Sequence, residues 1–138
     1  MAGIMTGRTV LITDASSGLG AHLANLMADH GANAVLGARR IERTMELSDA
    51  LKARGGQGLA VALDVTDEGS VRRAFETAEQ VFGRVDTVIA NAGINIEGSA
   101  LELDASALDD VFRVNVNRVF VTVREAARRL ISAGSEHH

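Results

Sequence analysis

A chain of 138 residues, 46% apolar and 23% charged, has the length and composition of one globular domain. Its formal charge of −4, with Lys and Arg scattered along it, lacks the basic footprint of a nucleic-acid binder, and no apolar run approaches the ~20 residues of a membrane span. It has no cysteine for a disulfide or thiolate metal site, and Met1 to Arg8 lacks the apolar core of a signal peptide, so a cytoplasmic soluble domain is expected.

Short apolar runs alternate with helical patterns from end to end. Thr9 to Thr13 is β-branched and continuously apolar, as a buried strand requires. The period then changes, and Leu19, Leu23, Leu26 and Met27 fall on one helical face that ends at Gly31. Ala34 to Ala38 reads as the second strand. Ile41 to Arg54 reads as a helix with Leu47, Ala50 and Leu51 inward, stopping at Gly55-Gly56. Gly58 to Val65 is the third strand, and Thr66 or Asp67 can cap the helix after it. That helix carries Val71, Phe75, Ala78 and Phe82 at helical spacing and ends at Gly83. Val85 to Ala90 is the fourth strand, Asn91 to Asp104 a loop, and a last helical pattern runs from about Ala105 to Ala133. Uninterrupted β-α alternation with short connections predicts a doubly wound, Rossmann-type α/β domain with a parallel sheet covered by helices on both faces. Residues 1–133 make this domain.

Some residue types are missing. There is no proline, where average usage would give about seven, and there is no tyrosine or tryptophan. Gly134-Ser135-Glu136-His137-His138 looks like a linker and the start of a histidine tag. Both features agree with a selected or truncated sequence, although chance in an Ala/Arg-rich source also accounts for the composition.

The first β-α junction reads Thr13-Asp14-Ala15-Ser16-Ser17-Gly18-Leu19-Gly20. A doubly wound fold places its phosphate loop here. Glycines let the backbone approach a pyrophosphate, and the helix N-terminus offers free N–H groups to it. The glycines alone also fit a tight turn with no ligand. Asp64-Val65 follows the third strand, Asn91-Ala92-Gly93 the fourth, and Asn115 lies in the last helical pattern. With these four motifs in order, the chain resembles the cofactor-binding front half of the short-chain dehydrogenase/reductase family. The resemblance implies four parallel strands in the order 3-2-1-4. It also implies a dinucleotide held by the loop residues 14 and 16–20, with Asp64 against adenine and Val65, Asn91, Ala92 and Gly93 around the cofactor. Ala38-Arg39-Arg40 ends the second strand, where an acidic residue favours NAD and an Arg accommodates the 2′-phosphate of NADP. Arg39 and Arg40 therefore favour NADP over NAD, unless they are a solvated pair at a helix start.

Two departures from the family pattern matter. Asp14 replaces the first glycine of the loop, and its carboxylate near a pyrophosphate should weaken binding, unless it turns outward or caps the helix. The family's chemistry, hydride transfer between nicotinamide and a carbonyl or alcohol, uses a Tyr and a Lys four residues apart and a Ser on the preceding strand. This chain has no tyrosine, and its only lysine, Lys52, lies in the second helical pattern. Asn115 is the only position matching the family's active site. With no Lys to hold, it reads as an ordinary helix residue. His22 and His30 read as surface residues and Asp109-Asp110 with Arg113 as helix-surface pairing.

The expected capacity is dinucleotide binding without catalysis by this chain alone. The rivals are an engineered or truncated Rossmann fragment that self-associates without cofactor, and a partial gene product completed by another polypeptide. A homo-oligomer, most simply a dimer, is expected. The fourth strand would be an unprotected apolar edge, and Val111, Phe112, Val114, Val119, Phe120, Val121 and Val123 are too widely spread around the last helix for one buried stripe.

Overall fold

A computed structural model of the chain describes residues 3–136. Four strands, β1 (Thr9–Ile12), β2 (Asn33–Ala38), β3 (Gln57–Ala62) and β4 (Thr87–Ile89), alternate with helices α1 (Gly18–Asp29), α2 (Ile41–Ala53) and α3 (Glu68–Phe82). The sheet is parallel throughout in the order β3-β2-β1-β4, as the resemblance implied. Beyond β4 come α4 (Ala105–Phe112), a π-helical turn (Arg113–Arg118) and α5 (Val119–Glu136), where the sequence predicts one regular helix.

The alternation of a pleated strand divides the core in two. Leu11 and Val35 face one side of the sheet with Val61, Val71, Ala74, Phe75, Ala78 and Ala126. Val10, Ile12, Ala34 and Leu36 face the other with Ala24, Ala28 and Leu51. Both faces are apolar because both are covered, which is why these strands read as continuous apolar runs. Phe75 is the largest fully buried side chain, and burial of that size is worth about 1.5–3 kcal/mol.

Helix α3 has the inward face its sequence predicts: Val71, Phe75 and Ala78 are buried and Phe82 packs at the margin. Its N-cap is Asp67, whose carboxylate accepts from the Gly69 N–H. Helix α1 differs. Its buried residues are Gly20, Ala24 and Ala28, with Leu23 and Met27 packed beside them, while Leu19 and Leu26 are exposed. The small residues let the helix axis sit close to the sheet, so side-chain size decides the inward face here. In α2, Thr44, Ser48 and Leu51 are buried, Leu47 packs at the edge of the core, and Ala50 is exposed. Strands β3 and β4 are shorter than expected. Val85, though buried, and Ala90 lie outside the β4 ladder, which pairs with β1 alone.

Helix α5 packs on α3 through Arg129. Its guanidinium donates to Glu125 (2.8 Å) and Glu79 (2.9 Å), lies 3.6 Å from Glu76, and stands over the Phe75 ring. Partial burial opposes its charge, but the bonds to Glu125 and Glu79 outweigh that, so the guanidinium is held above its ordinary pKa. Leu108, Phe112, Val116, Phe120, Val123 and Ile131 are exposed along the outer side of α4, the π turn and α5. Gly134 to Glu136 continue α5, and His137-His138 lie outside the described residues.

Candidate functional site

The C-terminal ends of the strands carry the loops, and the β1–α1 loop is tied to both neighbours. Ala15 N–H donates to the Gly37 carbonyl at the end of β2. Thr13 N–H donates to the Ile89 carbonyl of β4, while the buried Thr13 hydroxyl accepts from Ala92 N–H (2.9 Å). The Asn91 amide donates to the Asp14 carbonyl (3.2 Å). Gly20 makes this closure possible: a Cβ there would overlap the Asp14 carbonyl oxygen and press on the Asn91 amide.

Asp14 has φ +53°, the left-handed region, and is the one non-glycine residue found there among the described residues. Asp visits this region more readily than most side chains. Gly18 also has positive φ (+58°) and starts α1. Ser17 is the N-cap, but its side chain makes no capping bond, and the first turn of α1 contains no acidic residue. The N–H groups at this helix start therefore lack a side-chain acceptor, which is the arrangement that attracts anions.

In front of the loop lies a cleft of about 230 Å³, lined among others by Asp14, Arg39, Asp64, Val65, Ala92 and Gly93. Four separate sequence motifs thus meet at one place. Ligand pockets usually occupy about 300–1,000 Å³, so this cleft suits one nucleoside-sized group. Arg40 does not line it; it borders a shallower surface with Ser16, Glu42 and Arg43. Asp64 Oδ1 accepts from both the hydroxyl (2.6 Å) and the N–H (2.9 Å) of Thr66. Those bonds, the hydroxyl's first, hold the Asp64 carboxyl below its ordinary pKa against the effect of burial, with help from the charges of Arg39 and Arg118. Asp64 is therefore an ionised acceptor at neutral pH. Any stability gained this way is present above the unfolded-state pKa and fades as pH falls through the lower folded-state value.

Asn115 is not an ordinary helix residue. Its side-chain oxygen accepts from Ile94 N–H and its amide donates to the Ile94 carbonyl, both at 2.8 Å. The amide side chain copies a strand's pairing and fastens the segment that follows Asn91-Ala92-Gly93. Gly93 sits against it, with space for a Cβ only 3.2 Å from the Asn115 oxygen. The π turn coincides with this clamp, and such turns often mark functional positions. The resemblance singled out the position but not this role, to which an Asn in mid-helix, where its propensity is poor, also points.

Sequence reasoning also missed Thr66, which fixes Asp64, and Leu63, Ile94 and Val114 in the cleft wall. Lys52 is exposed on α2 and is not among the residues that line the cleft. His22 is exposed, and among the described residues no group of three or more His, Asp or Glu is placed to hold a metal ion. Arg113 pairs with Asp110 at 2.7 Å, as surface pairing predicts. No helix among the described residues is long and apolar enough to cross a membrane.

The family model described as short chain dehydrogenase matches residues 8–136. Short-chain dehydrogenase reductase 5 of Arabidopsis thaliana is 32% identical, over 95% of this chain and 50% of its own length. The A-factor type gamma-butyrolactone 1'-reductase (1S-forming) of Streptomyces virginiae is 37% identical, over 96% of this chain and 52% of its own. A solved short-chain type dehydrogenase/reductase from Mycobacterium marinum superposes with a TM-score of 0.89 at 30% identity, covering 94% of this chain and 53% of that one. The chain spans about half the length of the curated relatives it matches. On the match along nearly its whole length, the chain belongs to the short-chain dehydrogenase family.

Proposed function

We propose that this chain binds an adenine dinucleotide, NADP in preference to NAD, at the C-terminal ends of β1 and β4, and that alone it performs no catalysis. The observation that carries the reading is the meeting of Arg39, Asp64-Val65 and Ala92-Gly93 in one cleft beside the uncapped start of α1. The donor set fits the ligand. The α1 N–H groups, with Ser16, Ser17, Gly18, Leu19 and Gly20 around them, suit a pyrophosphate. Arg39, with Arg40 beside the loop, suits a 2′-phosphate. Asp64 accepts from the adenine amine, and Val65, Asn91, Ala92 and Gly93 complete the walls.

When bound, the nicotinamide supplies a hydride for exchange with a carbonyl or alcohol, the parent chemistry of the family. The protein's share of that chemistry is a positioned acid/base. In the resemblance it is a tyrosine with a nearby lysine, but the chain has no tyrosine and Lys52 is its sole lysine. General acid–base catalysis contributes about 10²–10⁴-fold. In this reading the binding domain runs to residue 136, past the boundary at 133 expected from the sequence, because α5 and the family match both continue to that residue.

One observation favours a second reading, a fragment that folds and self-associates without cofactor. Asp14 lines the cleft, and like charges about 4 Å apart repel by roughly 1 kcal/mol in water and more where water is excluded. Self-association has its own support in the three-residue edge strand β4 and the exposed row from Leu108 to Ile131. A two-fold dimer is the simplest closed pairing.

Calorimetric titration of the purified chain with NADPH and NADH is the direct test. We expect binding of NADPH before NADH and no cofactor-dependent turnover of simple alcohols or ketones in the same samples. Activity retained through repurification would refute the catalytic half of the proposal, and an absence of heat with either cofactor would favour the second reading. Asp14→Gly should tighten NADPH binding roughly fivefold, the equivalent of the ~1 kcal/mol repulsion it removes; equal or weaker binding would show that the carboxylate is harmless. Arg39→Asp should lower the ratio of NADPH to NADH affinity by about tenfold or more, given the strength of charge-assisted phosphate bonds. An unchanged ratio would place Arg39 away from the cofactor. Light scattering at micromolar concentration should return the mass of a dimer, and a folded monomer would end that part of the reading.

A further inference from the structure

The segment from Ala105 to Glu136 is held to the domain differently from the helices before it. Among its described residues Thr122 and Ala126 alone are buried, while Phe112, Val116 and Phe120 are exposed. Helix α3, by contrast, buries Val71, Ala74, Phe75 and Ala78. Most helices dock through an apolar face, and this segment turns much of its own outward. What joins it to α3, beside Ala126, is charge. Arg129 lies 2.9 Å from Glu79 and 3.6 Å from Glu76, and Arg124 lies 3.8 Å from Glu68. Glu125, one turn before Arg129, accepts from its Nε and so aims the guanidinium at α3.

The chain between β4 and α4 leaves the segment room to move. Residues 93–104 are exposed and belong to no helix or strand. Parts of a fold with few buried apolar contacts open at a lower free energy than the whole. The same segment also builds part of the cleft. Val114 lines it directly, and Ile94, held by Asn115 at 2.8 Å, lines it beside Gly93. With the segment undocked, both would leave the wall. A ligand that fills the cleft touches the complete wall in the docked form alone, and a ligand shifts a balance toward the form it binds better.

We propose that α4, the π turn and α5 form a strap, latched to α3 by Arg129, that opens without unfolding the rest of the domain and that a nucleotide in the cleft holds shut. The coupling to nucleotide rests on the dinucleotide reading above; the latch does not. Opening frees Val114 and Ile94 from the cleft and bares Phe75, while β1, β2 and β3 stay paired and covered by α1 and α2. Binding and strap closure then support one another, each favouring the form that the other needs.

The chain has no cysteine, so a single introduced thiol reports opening where it stands. Thr122→Cys places one on the buried face of α5, and Val10→Cys places one in β1 against α1, where global unfolding is needed to free it. Each thiol is reacted with an aromatic disulfide over a range of low urea concentrations. We expect Thr122→Cys to react faster than Val10→Cys and with a shallower urea dependence, because strap opening exposes less surface than unfolding. Adding Arg129→Met, which still covers the Phe75 ring, should speed the Thr122→Cys reaction about fivefold or more, and Glu79→Gln should do the same from the α3 side. NADPH at roughly ten times its Kd should slow that reaction by about tenfold. Equal rates and equal urea slopes at the two positions would mean that α5 leaves only when the whole domain unfolds, which overturns the strap. A Thr122→Cys rate unmoved by both Arg129→Met and Glu79→Gln would overturn the latch. NADPH that binds by calorimetry yet leaves the rate unchanged would overturn the coupling and leave dinucleotide binding intact. No binding at all would remove the dinucleotide reading and the coupling together, with the latch still decided by the ligand-free rates.

Discussion

The structure turns on how closely the start of α1 approaches the end of β4. Gly20 packs on the Asp14 carbonyl oxygen and the Asn91 amide, at a distance no side chain would permit. From that contact follow the bonds that draw three strand ends together: Ala15 to Gly37, Thr13 to Ile89, and Ala92 to the Thr13 hydroxyl. Each satisfies a polar group that would otherwise be stranded where the sheet stops, and a stranded group costs about 1–3 kcal/mol. The same bonds fix the loop around the cleft, so folding and cleft formation depend on one contact.

Charge around the cleft is divided by role. The wall at the end of β2 is basic through Arg39, the neighbouring turn after β3 carries Asp64, and Asp14 stands at the loop itself. Asp64 is tied down by Thr66, whereas no side-chain bond holds the exposed Asp14 among the described residues. The first carboxylate is fixed by its neighbours; the second stands beside the start of α1, whose N–H groups have no side-chain acceptor and form a positive end. Asp14 has the backbone angle a glycine would adopt freely, so the turn keeps its shape although the residue has changed.

Much of the fold was legible because hydropathy carries it. Val71, Phe75 and Ala78 stand out from the charged residues around them, and α3 packs as read. Helix α1 was misread because its apolar residues surround it, and the choice of inward face fell to the small ones, Gly20, Ala24 and Ala28. Periodicity measures hydropathy and is blind to volume. The cleft's main residues were visible as motifs, but their arrangement was not. Nothing in the sequence separates Arg39, in the cleft, from Arg40, outside it. Arg118 left no signal at all, since the crevice that buries its Nε is formed by residues from four distant segments.

The π turn has a consequence for chain length. A π turn holds one residue more than the α-helical turn it replaces, and each residue of an α-helix rotates the chain by about 100°. Helix α5 meets the rest of the domain through Thr122, Ala126 and Arg129, and the wide turn takes up the extra residue without turning that face away. Tightening the turn to a regular helix at unchanged length would swing that face about a quarter of the way around and carry Arg129 away from Glu79. Removing one residue between 113 and 118 would instead leave a regular helix that keeps α5 in register, at the cost of the turn that presents the Asn115 clamp. The extra residue here therefore serves the hold on Ile94 rather than the seating of α5.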